Sequence, residues 1–412
     1  MKYHKIKQFK KLLSQNNQKY IGHSNSISLF ICAILIIALS LSQVSCTGAT
    51  TKDSQETENE TWQKISQYFE PPENLKDEYG EYRSPLLFQN GDTVKSKADW
   101  ERRRTEIKGK WMGLMGEWPA IITNQQMEII DTVQRENFTQ HRVSFYWTPN
   151  ELTEGYLLIP NEEGEKPAVI TVFYEPETSA GLNNKENRDF ALQLAKKGFV
   201  TLSLGTTETT ENKTYSIYYP NIENATVQPL SLLGYVAANA WEVLAKVSDV
   251  DATKIGIVGH SYGGKWAMFA SCLFDKFACA AWSDPGIVFD ETKGSAVNYW
   301  EPWYLGYYPP PWESTWSKSG QLAKGIYPTL KQKGMDLHEL HALMAPRPFL
   351  VSGGSSDPIE RWIPLNHSIA VNKILGYENR VAMTNRLEHS PNESSNNVIV
   401  QFFETFLMNN NK

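Results

Sequence analysis

A chain of 412 residues, 41% hydrophobic and without a visible internal repeat or long low-complexity tract, can bury a large α/β core and is not a solenoid or a disordered polymer. A formal net charge of −6 argues against a nucleic-acid partner, and four cysteines are too few for a disulfide-stapled scaffold.

The first 46 residues read as an export signal. Six lysines and no acidic residue precede the apolar run Ile27 to Leu41, after which come Gln43-Val44-Ser45-Cys46 and a polar segment. A small residue followed by Cys46 is similar to a bacterial lipoprotein cleavage site, where the cysteine becomes the lipidated N-terminus. Gln43 stands where leucine is usual, so cleaved secretion and an uncleaved anchor stay open. The expectation is a lipoprotein anchored at the periplasmic or cell-surface side of a bacterial membrane, otherwise a secreted or periplasmic protein. Without the six signal lysines the net charge falls from −6 to −12, which suits a soluble body tethered by its N-terminus.

Residues 47–60 form a polar tether. Residues 61–141, aromatic and charged, are expected to pack on the core as an N-terminal extension with a helix over Lys97 to Met115. Residues 142–412 carry the main domain. It opens with an antiparallel pair, Arg142 to Trp147 and Leu152 to Ile159, and then alternates strands (168–174, 199–204, 254–259, 277–283, 348–353, 380–387) with helices (about 185–197, 229–247, 262–274, 361–376, 395–408). Such alternation predicts a doubly wound, mostly parallel sheet, whose ligands bind beyond the carboxyl ends of the strands. Cys272 on a predicted helix and Cys279 on the next strand either pair or stay as buried free thiols.

Gly259-His260-Ser261-Tyr262-Gly263 follows the apolar run Ile255 to Val258 and opens an Ala/Met/Phe-rich helix. A serine between two glycines at a strand-to-helix turn is a nucleophile elbow: the glycines permit the tight turn, and the hydroxyl projects from the sheet. Two acids compete to complete the site. Asp357 follows the strand 348–353 and is preferred, while Asp284 follows the strand Ala278 to Trp282. Of eight histidines, His389 alone lies in a loop just after a late strand, in the order Ser, acid, His that α/β-hydrolases use. His389 would take the Ser261 proton, and the acid would fix its tautomer. The backbone N–H of Tyr262, with one from Tyr174 or Glu175 after the strand Val169 to Phe173, would form the oxyanion hole. His260 is expected to point away from Ser261. His338, His341 and His367 read as helix-surface or packing residues, and the 338/341 spacing does not fit a zinc-binding helix.

The insertion 284–334 carries eight aromatics in the eighteen residues from Tyr299 to Trp316, among them Trp300, Trp303, Tyr304, Tyr307, Tyr308 and Trp312, interleaved with Pro302 and Pro309 to Pro311. Flat rings suit the C–H faces of sugars, so Trp300, Trp303 and Tyr304 are candidate substrate contacts over the active site; the alternative is that the rings only pack the insertion down.

The blocks Gly259 to Lys265 and Leu337 to Pro348 (LHELHALMAPRP), with the strand and histidine that follow, resemble the α/β-hydrolase carbohydrate esterases, including glucuronoyl esterases and acetyl-xylan-esterase-like enzymes. The layout extends over residues 97 to 408. The resemblance implies the α/β-hydrolase fold and an acetyl or uronate ester of a poly- or oligosaccharide as substrate. It implies turnover through an acyl-enzyme without a cofactor, and a sugar-hydroxyl contact for Lys265; Lys265 can also be read as a helix-surface charge. Where glucuronoyl esterases carry cysteine and arginine on either side of the serine, this chain has His260 and Tyr262. A peptidase of the same fold and a non-catalytic glycan-binding relative are the other readings.

Overall fold

The computed structural model describes residues 60–207, 216–292, 299–307 and 325–409. The export signal, Cys46, all but the last residue of the tether, and Tyr308, Trp312 and Trp316 lie outside the described residues.

Nine strands form one sheet in the order β1-β2-β3-β5-β4-β6-β7-β8-β9. They are β1 (Glu128–Gln134), β2 (Phe138–Thr148), β3 (Glu151–Pro160), β4 (Lys166–Phe173), β5 (Val200–Gly205), β6 (Val250–His260), β7 (Cys279–Ser283), β8 (Phe349–Gly353) and β9 (Val381–Asn385). The first three strands run antiparallel, as does the β3–β5 pair, and β5 to β9 run parallel. The six parallel strands are those expected. The antiparallel pair is longer at both ends, and β1 lies upstream of it where no strand was anticipated.

The helices are α1 (Lys97–Met115), α2 (Pro176–Ser179), α3 (Phe190–Ala195), α4 (Pro229–Leu244), α5 (Tyr262–Leu273), α6 (Tyr327–Gln332), α7 (His338–Ala342), α8 (Trp362–Leu375) and α9 (Glu393–Phe403). Strand residues alternate between two cores. Ala168, Ile170 and Val172 of β4 face a large core shared with Leu233 of α4, Trp266 of α5 and Trp362 of α8. Val169 faces a second core with Phe190 and Leu194 of α3 and Ile399 and Phe403 of α9. A strand covered on both faces needs apolar residues throughout, hence the Val/Ile run of β4, and the sheet is doubly wound. Helix α4 is buried along its whole length and mostly apolar, with Pro229 at its first turn.

The extension is tied down by α1. Ser96 caps it by accepting from the Asp99 N–H, and Trp100, Ile107, Trp111 and Met115, on one helical stripe, enter the large core. Nearby, Arg103 (1% exposed) reaches Glu339 of α7 (2% exposed) at 3.5 Å. Trp111 Nε1 donates to the other Glu339 oxygen at 3.2 Å. Breaking a buried ion pair on one side leaves a charge unpaired, so Arg103→Ala is expected to cost about 3–5 kcal/mol of stability. Replacing both partners by apolar residues, Arg103→Met with Glu339→Leu, should recover part of it, the remainder being the Trp111 N–H and the Pro85 carbonyl left without partners, as read by urea unfolding.

His338, His341 and His367 are packing residues. His338 Nε2 donates to the Arg83 carbonyl at 2.7 Å and His367 Nε2 to the Tyr79 carbonyl at 3.1 Å, stitching the extension to α7 and α8. Burial holds all three imidazoles below their usual range, to about 4 for His338 and His367. Cys272 and Cys279 are free, buried thiols.

Candidate active site

Ser261 stands between β6 and α5 with φ 56° and ψ −114°, a region that side-chain-bearing residues rarely occupy. The turn closes because its glycines lack side chains. A Cβ on Gly263 would lie 2.0 Å from the Val172 carbonyl oxygen, and one on Gly259 2.2 Å from that of Gly263. The Ser261 N–H donates to the Ser283 carbonyl at 2.8 Å, which extends the β6–β7 pairing to the serine.

His389 Nε2 lies 2.8 Å from Ser261 Oγ, and His389 Nδ1 lies 2.6 Å from Asp284 Oδ2. The structure therefore corrects the preferred acid: Asp284, not Asp357, holds the histidine. Both aspartates are fully buried at the carboxyl ends of neighbouring strands, and each clasps the other's loop. Asp284 Oδ1 accepts from the N–H groups of Gly354 (2.7 Å) and Asp357 (2.8 Å), while the Asp357 carboxylate accepts from Gly286 (2.8 Å) and Ile287 (2.6 Å). Burial, and then the Asp284 charge, push the Asp357 carboxyl above its ordinary range. The clasp needs Gly354, where a Cβ would come within 2.8 Å of Asp284 Oδ2.

Arg386, just past β9, went unnoticed in the sequence except as strand. Its guanidinium donates to the carbonyls of His389 (2.7 Å), Ser390 (2.9 Å) and Ser352 (2.8 Å), pinning the histidine loop to β8. His260 turns its ring to His389, at 4.8 Å between centroids.

The N–H of Tyr262 begins α5, where the helix dipole favours an anion. Tyr174 and Glu175 follow β4, whose end abuts the elbow: a Cβ on Gly263 would meet Phe173 Cα at 3.2 Å. The Tyr174 ring stacks on Tyr262 at 4.9 Å, and the Tyr262 hydroxyl pairs with Thr206 Oγ1 at 2.9 Å. The Glu175 carboxylate is engaged by Lys185 at 3.0 Å and by Thr178 at 3.0 Å.

Lys265 is not a surface charge: it is 2% exposed, donates to the Pro285 carbonyl, and stands 4.2 Å over the Tyr299 ring and 5.4 Å from that of Tyr304. Burial lowers its ammonium to about 8. Glu301, not singled out in the sequence, is 1% exposed; neither carboxylate oxygen has a hydrogen-bond partner among the described residues, and burial raises it to about 8. A buried acceptor within the field of a buried ammonium can answer the hydroxyls of a polar ligand. Among the candidate rings, Trp300 is 5% exposed and edge-on to Tyr327 at 6.0 Å, so it packs the core and presents no open face. Tyr304 is also buried, 6.4 Å from the Tyr262 ring, and Trp303 is half-buried beside it.

A strained serine turn, a histidine from a late loop and a buried acid, all at the carboxyl edge of a doubly wound sheet, place this chain in the α/β-hydrolase fold. The profile of the prolyl oligopeptidase family (Peptidase_S9) matches residues 237–358, from α4 to beyond β8. A glucuronoyl esterase from Solibacter usitatus superposes with a TM-score of 0.62 at 15% identity, over 79% of this chain and 97% of that one. A carbohydrate esterase family 15 glucuronoyl esterase from Caldicellulosiruptor kristjansonii gives 0.57 at 19% identity, over 82% and 93%. A putative acetyl xylan esterase from Bacteroides fragilis gives 0.50 at 15% identity, over 77% and 79%. No curated protein matches the chain by sequence.

Proposed function

We propose that this protein is a serine ester hydrolase that removes an acetyl group from, or cleaves a uronate ester on, a poly- or oligosaccharide. The observation that carries the reading is the continuous relay Asp284–His389–Ser261, with contacts of 2.6 and 2.8 Å. His389 Nε2 takes the Ser261 proton as Oγ attacks the ester carbonyl, and the negative oxygen is met by the Tyr262 N–H and a backbone donor at Tyr174 or Glu175. Collapse expels the alcohol, protonated by His389, and leaves an acyl-Ser261 that water then hydrolyses through the same base. Asp284 keeps the proton on Nδ1 and supports the imidazolium. No step calls for a cofactor.

The carbohydrate part is supported by the buried Lys265 and Glu301 and by the esterases with the same fold. One of these, from Sporotrichum thermophile, was solved with methyl 4-O-methyl-β-D-glucopyranuronate; it is 16% identical, with a TM-score of 0.53 over 80% of this chain and 88% of that one. Export and lipid anchoring at Cys46 on the periplasmic or cell-surface side belong to the same proposal and rest on residues 1–46. The prolyl oligopeptidase match over residues 237–358 favours a second reading, a peptidase using the same triad. The test is release of acetate and of uronate from acetylated and uronate-esterified glycans, beside dipeptide and longer peptide substrates, with fluorophosphonate-inactivated protein as the blank. Acetate release makes it a deacetylase, and uronate-ester cleavage a glucuronoyl-type esterase. Peptide cleavage without either puts the peptidase reading first.

A further inference from the structure

A histidine hydrogen-bonded at both ring nitrogens is held by those bonds and by its link to Cβ, and a neighbour packed on its face limits the rocking motion that remains. In His389 those bonds go to Asp284 and Ser261, Ser356 Oγ lies 3.3 Å from Nδ1, and the side chain is 38% exposed. A rigid surface against the ring would narrow that motion and keep Nε2 aimed at Ser261 Oγ.

We propose that His260 is a positioning residue for the general base, its neutral ring forming the wall that holds His389 in line between Asp284 and Ser261. The inference rests on the serine-hydrolase reading. The two rings meet at 4.8 Å with an interplanar angle of 43°. The wall is itself rigid. His260 is the last residue of β6, is 2% exposed, and stacks with Phe173 at 6.3 Å and 23°. Its Nδ1 lies 3.2 Å from the Ser283 carbonyl oxygen, and donation there fixes its tautomer. Ser283 Oγ, 3.1 Å from the same nitrogen, also touches Arg386, so the wall and the clamp on the histidine loop share a residue.

The wall must also be uncharged. When His389 takes the Ser261 proton, a cation in van der Waals contact would oppose it, whereas a neutral aromatic face is favourable to the imidazolium. The charges acting on His260 include His389, Arg386 and Arg188, all potential cations, and the one carboxylate of the cluster, Asp284, is hydrogen-bonded to the far side of His389. With burial as the larger cause, they hold its imidazole well below the usual range.

The test compares His260→Ala and His260→Phe with wild type in two assays: fluorophosphonate labelling of Ser261 and steady-state hydrolysis of an aryl acetate. His260→Ala should slow labelling and lower kcat by about tenfold or more, with KM within about twofold, since misaiming a catalytic group by an ångström costs up to about 10²-fold. His260→Phe, which keeps a neutral flat ring, should restore both rates to within about threefold of wild type. The proposal is overturned if folded His260→Ala labels and turns over at the wild-type rate, if only KM changes, or if His260→Phe is as impaired as His260→Ala. Should the alanine variant not fold by circular dichroism, the phenylalanine variant decides alone. If wild type itself shows no Ser261-dependent labelling or turnover, the hydrolase reading fails and the proposal with it. Active wild type with an unaffected alanine variant sinks the proposal alone.

Discussion

Asp284→Asn is expected to lower kcat for ester hydrolysis by about 10⁴-fold, and Asp357→Asn by less than about tenfold. Asp284 accepts the His389 Nδ1 proton at 2.6 Å on one oxygen and the amides of Gly354 and Asp357 on the other. An asparagine keeps its carbonyl where the backbone amides point and turns its NH₂ toward Nδ1. His389 would then have to present a lone pair there and carry its proton on Nε2, where it cannot serve as base to Ser261. The fold should survive, because the amides that order the loop after β8 keep their acceptor. At Asp357 the loss falls on stability. Its two oxygens satisfy the buried N–H groups of Gly286 and Ile287, and an amide leaves one of them facing a donor, at about 1–3 kcal/mol. Kinetics and thermal unfolding on the same pair of variants separate the roles. Equal kcat losses at both positions would overturn the assignment of Asp284.

These two aspartates show what the sequence could and could not convey. Each follows an apolar strand and precedes a turn, and linear order admits either as the acid. The choice is made across the sheet. Ser283 pairs with Ser352, so Asp284 leaves β7 level with the end of β8, where its N–H donates to the Ser352 carbonyl at 3.0 Å. Its positive φ of 49° belongs to that turn. Asp357 lies further out in a loop that folds back onto residues 286 and 287, spending both oxygens there. Neither strand register nor a backbone angle is written in a five-residue window. The elbow was legible because its requirement is local: glycine where a Cβ would strike backbone 2.0 or 2.2 Å away. His389 was legible by elimination. Strand β1 was not, since all seven of its residues are exposed and no period-2 pattern of burial marks them. The aromatic insertion was visible as composition, but a tryptophan that packs a core and one that stacks on a sugar have the same signature; Trp300 is of the first kind. Lys265 and Glu301 needed the fold to reveal that both are buried.

Ser261→Ala should reduce aryl-acetate hydrolysis by about 10⁶-fold in kcat and abolish fluorophosphonate labelling, while leaving the protein folded. The hydroxyl is the only part of the relay that becomes covalently bonded to the acyl group, so no neighbouring residue compensates for it. The residual rate, some 10³-fold over water by analogy with stripped triads, would report the backbone donors at Tyr262 and at Tyr174 or Glu175, which the substitution leaves in place. Stability should not fall with activity. Alanine at φ 56° is as strained as serine, so the backbone term cancels. The group removed is a half-buried hydroxyl whose partner, His389, can turn to water. An unchanged or slightly raised melting temperature beside a million-fold loss of rate is the signature of a residue kept for chemistry at no benefit to folding. A loss of both would make the serine a structural turn, and a loss of neither would mean that the observed hydrolysis uses another nucleophile.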